Sequence, residues 1–107
     1  MHEVLVVVEE VRGRCAAGYK PGDGFLMRGF YIERMQEARI CLHALSSMLT
    51  FVSPMLKGVP AEALGIGSGS SAYTQCPDPG APLTCGGTVV FKLMRREFNF
   101  NPRLGSG

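Results

Sequence analysis

Tryptophan is absent from this 107-residue chain, and only 8% of its residues are aromatic and 19% charged. None of the four cysteines stands in a Cys-x-x-Cys pair, so the paired-ligand signature of a zinc ribbon or knuckle is missing. No apolar run is long enough to span a bilayer. The richest stretch, Ile40 to Leu56, is broken by His43, Ser46, Ser47, Thr50, Ser53 and Pro54. No basic segment precedes the short apolar run Val4 to Val8, so no secretory leader is read. The stretch Leu64 to Ser71 alternates glycines but is not G-x-G-x-x-G, and no buried strand leads into it, which counts against a dinucleotide site. Its bare amides suit an anion only weakly. It reads as a flexible loop. No internal repeat is visible.

Charge of one sign is also scarce: 11 Lys+Arg oppose 9 Asp+Glu, for a formal net charge of +2. A nucleic-acid binder needs a clustered basic stripe. The one basic cluster, Lys92, Arg95 and Arg96, is interrupted by Leu93 and Met94 and followed by Glu97, and reads as a solvated strand end. The expectation is a cytoplasmic protein with no nucleic-acid and no membrane partner. In that reducing setting the cysteines are thiols or metal ligands rather than disulfides. An oxidising compartment would allow three pairings, and spacing does not choose among them.

What is present points to one compact domain. Hydrophobic residues reach 46%, too many for a disordered chain, and the length suits a single core. The domain is expected over residues 1–97, with a polar, Gly-containing tail at 98–107. Glu3 to Arg12 reads as a strand, with Val4, Val6 and Val8 on one face and Leu5, Val7 and Val11 on the other. Apolar residues on both faces predict a central strand buried on both sides. Lys20-Pro21-Gly22-Asp23 has the form of a type II turn, and a second strand follows over Phe25 to Ile32.

From Gln36 to about Ser53 the apolar spacing changes to three and four residues. Ala38, Cys41, Leu42, Leu45, Leu49 and Val52 form the expected buried helix stripe, opposite Gln36, Arg39, His43, Ser46 or Ser47, and Thr50. Pro54 is expected to end the helix. Tyr73 to Cys76 reads as a short strand and Thr88 to Arg96 as a longer one, with Val89, Phe91 and Leu93 sharing a face. The fold class expected is α+β, an antiparallel sheet of about four strands packed against one main helix. A small domain with strands this apolar is expected to form a homodimer or larger homo-oligomer.

The chemistry-bearing residues divide unequally. Cys15 sits in a loop flanked by Arg12, Arg14 and Lys20, cations that favour a thiolate and suit a nucleophile or a metal ligand. Cys76 precedes Pro77-Asp78-Pro79, where two prolines hold the Asp78 carboxylate at little entropic cost. A fixed carboxylate beside a thiol suits acid/base work, although an Asx-type turn explains Asp78 more simply. Cys41 and His43 are two apart, about 200° round a helix, so they could share an ion only if the helix began at or after them. Cys41 therefore reads as core and His43 as surface. Cys85 has no local partner.

Taken in order, Cys15-x-x-Gly18-x-Lys20-x-Gly22-Asp23-x-Phe25, Ile40-Cys41-x-x-Ala44-Leu45, Cys76-Pro77-Asp78-Pro79 and Val89-Val90-Phe91 before a basic pair form a pattern over roughly residues 3 to 97. The chain thereby resembles a family of small stand-alone bacterial and archaeal proteins of unassigned function. That family shares a Cys-x-x-Gly-x-Lys-x-Gly-Asp element and a Cys-Pro-Asp-Pro element. The resemblance implies weight on Cys15, Cys41, Cys76, Lys20, Asp23 and Asp78, and none on Cys85. This chain departs from the pattern in its longer Gly/Ser stretch and in the tail after Glu97.

The expected function is a small enzyme acting on a small molecule, one bearing a carboxylate included, through Cys15, Asp23, Cys76 and Asp78 with His43 or Lys20 as proton carriers. The alternative is a non-catalytic module that binds a partner, or a metal through Cys15, Cys41 and Cys76. No cofactor is indicated.

Overall fold

A computed structural model describes residues 2–35 and 39–97. It is α+β, with one α-helix and one six-stranded antiparallel sheet. The strands are β1 (His2–Arg12), β2 (Gly24–Arg28), β3 (Tyr31–Arg34), β4 (Gly67–Ser68), β5 (Ser71–Gln75) and β6 (Thr88–Glu97). The helix α1 spans Leu42–Leu56 and a 3-10 turn spans Ala61–Leu64. The sheet order is β3-β2-β1-β6-β5-β4.

Two of these strands explain why about four were expected. The run read as one strand over Phe25 to Ile32 turns back at Gly29-Phe30, so that Arg28 pairs with Tyr31. The stretch read as a flexible loop contains β4, which pairs Gly67 with Ala72. Gly67 is required there: a Cβ would lie 2.2 Å from the Ser71 carbonyl oxygen. The glycines that suggested flexibility permit close backbone approach instead.

β1 is central, between β2 and β6, as its apolar content predicts. Val4, Val6 and Val8 are at most 2% exposed and lie under α1 with Phe25, Met27, Phe91 and Leu93. Burial on both faces does not hold. Leu5 and Val7, on the opposite face, are half-buried, because the single helix covers one side only. The register slips at Glu9, between Val8 and Glu10. This bulge moves Val11 opposite Val89 and so onto the helix side, not beside Leu5 and Val7.

The helix also differs from its expected form. Cys41 is its N-cap, with extended backbone (φ −71°, ψ 127°), and residues 36–38 lie outside the described residues. Pro54 sits within the last turn and the helix runs on to Leu56; the Pro54 carbonyl still accepts from Lys57 and Val59. The buried stripe is Ala44, Met48, Val52 and Met55, whereas Leu42 is 78% and Leu49 46% exposed. Apolar residues cover more than half of this helix, so its period fixes a stripe but the sheet selects which one.

The basic cluster on β6 is not simply solvated. Arg96 donates to Glu3, Arg95 to the Val59 carbonyl, and Lys92 stands 6.0 Å from the Tyr73 ring. Among the described residues no helix is long and apolar enough to cross a membrane.

Candidate functional site

At the end of the sheet beyond β1, three segments distant in sequence enclose a cavity of about 160 Å³. The loop after β1 brings Cys15, Ala17 and Tyr19; the start of α1 brings Cys41, His43 and Ala44; the β5–β6 loop brings Cys76, Asp78 and Gly87; and β6 supplies its floor, Val89 and Phe91. Five of the residues expected to matter, Cys15, Cys41, His43, Cys76 and Asp78, thus share one wall. Cys41 is there because α1 begins one residue after it, whereas His43 lies inside the helix, so the condition set for the two to share an ion is not met. The reading of Cys41 as a helix-core residue is corrected: it is a half-buried cap.

Lys20 and Asp23 do not line this cavity. They form the predicted turn, in which the Asp23 amide donates to the Lys20 carbonyl at 3.0 Å and Gly22 holds φ at +96°. The Lys20 amide donates to the Asp23 carboxylate at 2.9 Å, and the Asp23 carbonyl accepts from Val8 at 2.7 Å. Their work is to fix the loop that carries Cys15 and Tyr19 against β1. Cys85 is exposed and outside the cavity.

The three cavity thiols are held differently. Cys76 is bound to β6 from both sides: its amide donates to Val89 O at 2.9 Å, and the Val89 amide donates to its sulfur at 3.2 Å. Its thiol points back at the Gly87 carbonyl, 3.6 Å away. Among the described residues the sulfurs of Cys15 and Cys41 have no such partners. Cys76 closes the wall, while Cys15 and Cys41 keep free sulfur lone pairs.

Asp78 organises its own loop. Its Oδ1 accepts from the Thr84 hydroxyl and from the Gly80 amide at 2.8 Å, and its carbonyl accepts from the Thr88 hydroxyl at 2.7 Å. A Cβ on Gly86 would meet Asp78 Oδ2 at 1.9 Å, so the carboxylate packs directly on that glycine. The Thr84 hydroxyl, helped by the Gly80 amide, holds the Asp78 carboxyl below its ordinary value. A group kept ionised in this way is a poor proton donor at neutral pH, and the Asx-type reading describes what it does.

Tyr19 was not singled out from the sequence. Its side chain is buried at 6% exposure, its ring stands edge-on to Phe91 at 5.7 Å and 89°, and its hydroxyl accepts from the Cys41 amide at 2.8 Å. One signal was available: a tyrosine joins an apolar body to a polar tip, and such a residue beside a rigid turn is a natural wall for a pocket.

Among the described residues no group of three or more His, Cys, Asp or Glu side chains is placed to hold a metal ion. Cys15, Cys41 and Cys76 share a cavity without forming a ligand set. No family model, no curated protein and no solved structure matches this chain.

Proposed function

We propose that the cavity is the reaction site of a small thiol-dependent enzyme acting on a small molecule. The observation that carries this reading is the convergence of Cys15, Cys41 and Cys76, with His43, on one concave wall while Cys85 stays outside. Chance burial of small apolar residues accounts for one cysteine in a core; three from separate loops on one cavity wall is an arrangement suited to chemistry. The resemblance read from the sequence also groups these three cysteines and leaves out Cys85, but a family of unassigned function contributes no mechanism. Cys15 and Cys41 supply the nucleophile. His43, exposed and lining the cavity, is placed to pass protons between site and solvent. Cys76 and Asp78 shape the wall, and Lys20 and Asp23 fix the loop.

The test is the rate at which each cysteine reacts with iodoacetamide, resolved by mass spectrometry, with exposed Cys85 as the internal reference. An inert half-buried thiol reacts more slowly than an exposed one. The expected result is Cys15 or Cys41 reacting at least about tenfold faster than Cys85; both reacting more slowly sinks the enzyme reading.

A second reading, a partner-binding module, draws on another surface. Phe30 is 79% exposed, and with Leu49 it borders a groove between α1 and the β2–β3 hairpin. Among the described residues β3 is the outermost strand on that side, and an outermost strand is the kind that pairs with another chain. This face suits a second copy of the chain.

A further inference from the structure

Tyr19 carries unused hydrogen-bonding capacity at depth. Its hydroxyl accepts from the Cys41 amide, but among the described residues it donates to nothing. Contact with Phe91 fixes the ring, so Tyr19 is held in the lining of the cavity. Burial pushes the phenol above its ordinary value; the Cys41 amide works against this, and negative charge on Cys41, Cys15 or Asp23 would add to the rise. The proton therefore stays on oxygen at neutral pH, available to an acceptor. A buried donor left without an acceptor is costly, and native structures nearly always supply one, from protein, water or ligand.

The surroundings say what kind of acceptor fits. Ala16, Ala17, Val89 and Phe91 make the wall largely apolar, and no Lys or Arg is among the described residues that line it. Its one carboxylate, Asp78, already accepts from Thr84 and Gly80. An anion entering here would lose its hydration with no Lys or Arg to replace it and would face Asp78. The volume, about 160 Å³, is comparable to that of an apolar cavity that takes up benzene.

We propose that Tyr19 selects the ligand of this cavity: its O–H donates to the carbonyl oxygen of a small neutral aldehyde or ketone of about ring size, holding the carbonyl carbon beside the Cys15 and Cys41 thiols. The inference rests on the thiol-site reading above and names its substrate class. Addition of a thiol balances with no co-reactant. Sulfur bonds to carbon, the C=O π pair moves to oxygen, and the thiol proton ends on that oxygen, giving a hemithioacetal.

Three probes of matched shape test it: benzaldehyde, benzoate and toluene, each competing with iodoacetamide at Cys15 and Cys41, with Cys85 as reference. Benzaldehyde is expected to protect at roughly five- to tenfold lower concentration than toluene, the effect of one neutral hydrogen bond, and benzoate to protect least. Tyr19→Phe keeps the ring against Phe91 and removes the O–H. It is expected to bring benzaldehyde to toluene's level with toluene protection unchanged. Benzoate protecting as well as benzaldehyde, no protection by any probe, or a benzaldehyde advantage that survives in Tyr19→Phe overturns the proposal. So does loss of toluene protection in that variant, which would assign the hydroxyl a structural role. Slow labelling of Cys15 and Cys41 relative to Cys85 fails the thiol chemistry alone, because the ranking of the probes still decides the ligand.

Discussion

Glu3 shows how one residue acquires a role that its place in the sequence does not announce. It stands on the sheet face away from α1 and is 3% exposed. Arg28 reaches it from β2 at 2.9 Å, and Arg96 reaches it from β6. Burial alone would push its carboxyl up, but hydrogen bonds from Arg96 and Arg28 more than reverse that, and the net direction is below the ordinary value of 4.5. A carboxyl depressed in the folded state contributes stability above its unfolded pKa and loses it as pH falls through the folded one. Glu3→Gln is expected to destabilise the protein by about 1–3 kcal/mol at neutral pH. Urea titration at several pH values should show the gap to the parent closing in acid. An equal gap at pH 7 and in acid would contradict this account.

At the scale of elements, α1 separates what a period tells from what packing decides. Met48 is 1% exposed and Leu49, its neighbour, 46%. Met48→Ala is expected to cost about 2–5 kcal/mol through lost contacts and a residual cavity. Leu49→Ala should fall within about 0.5 kcal/mol. Denaturation midpoints of the two variants check this, and the reverse order would restore the stripe that apolar spacing alone suggests. The turn at Lys20 to Asp23 is a contrasting case. Pro21 and Gly22 prescribe their own backbone angles, so the turn was legible without reference to anything outside it. β3 and β4 were not. Gly29 and Gly67 read equally as loop or bulge until a neighbouring strand is in place to pair.

The described residues form a sheet with one helix on one face, and the first and last strands are joined at its centre: β1 pairs with β6, so that His2 stands opposite Glu97. That pairing carries Arg96 to Glu3 and sets Val89 and Phe91 as the cavity floor. The same plan leaves Phe30 and Leu49 exposed along the groove beside β3. If this face joins two copies, sedimentation velocity should show a monomer–dimer equilibrium that shifts with concentration, and Leu49→Glu should abolish the dimer. A parent protein that stays monomeric at high concentration removes the self-association reading and leaves the cavity reading untouched.

Composition and local pattern by themselves determined an α+β fold, a central β1, a long β6 with Val89, Phe91 and Leu93 on one face, a helix between them, and a rigid turn beside Cys15. Each follows from residues adjacent in the chain, whose spacing or backbone preference is a local property. Local pattern also marked Cys15 and Cys76 as thiols in constrained loops. Only the tertiary structure decided that α1 begins at Leu42, which turns Cys41 from a core residue into a cap facing those two loops. It also decided that Tyr19 closes the same cavity with its hydroxyl against Cys41. Residues 15, 19, 41 and 76 meet because strand register and the seat of the helix bring their backbones together, and neither is encoded within any one of those segments.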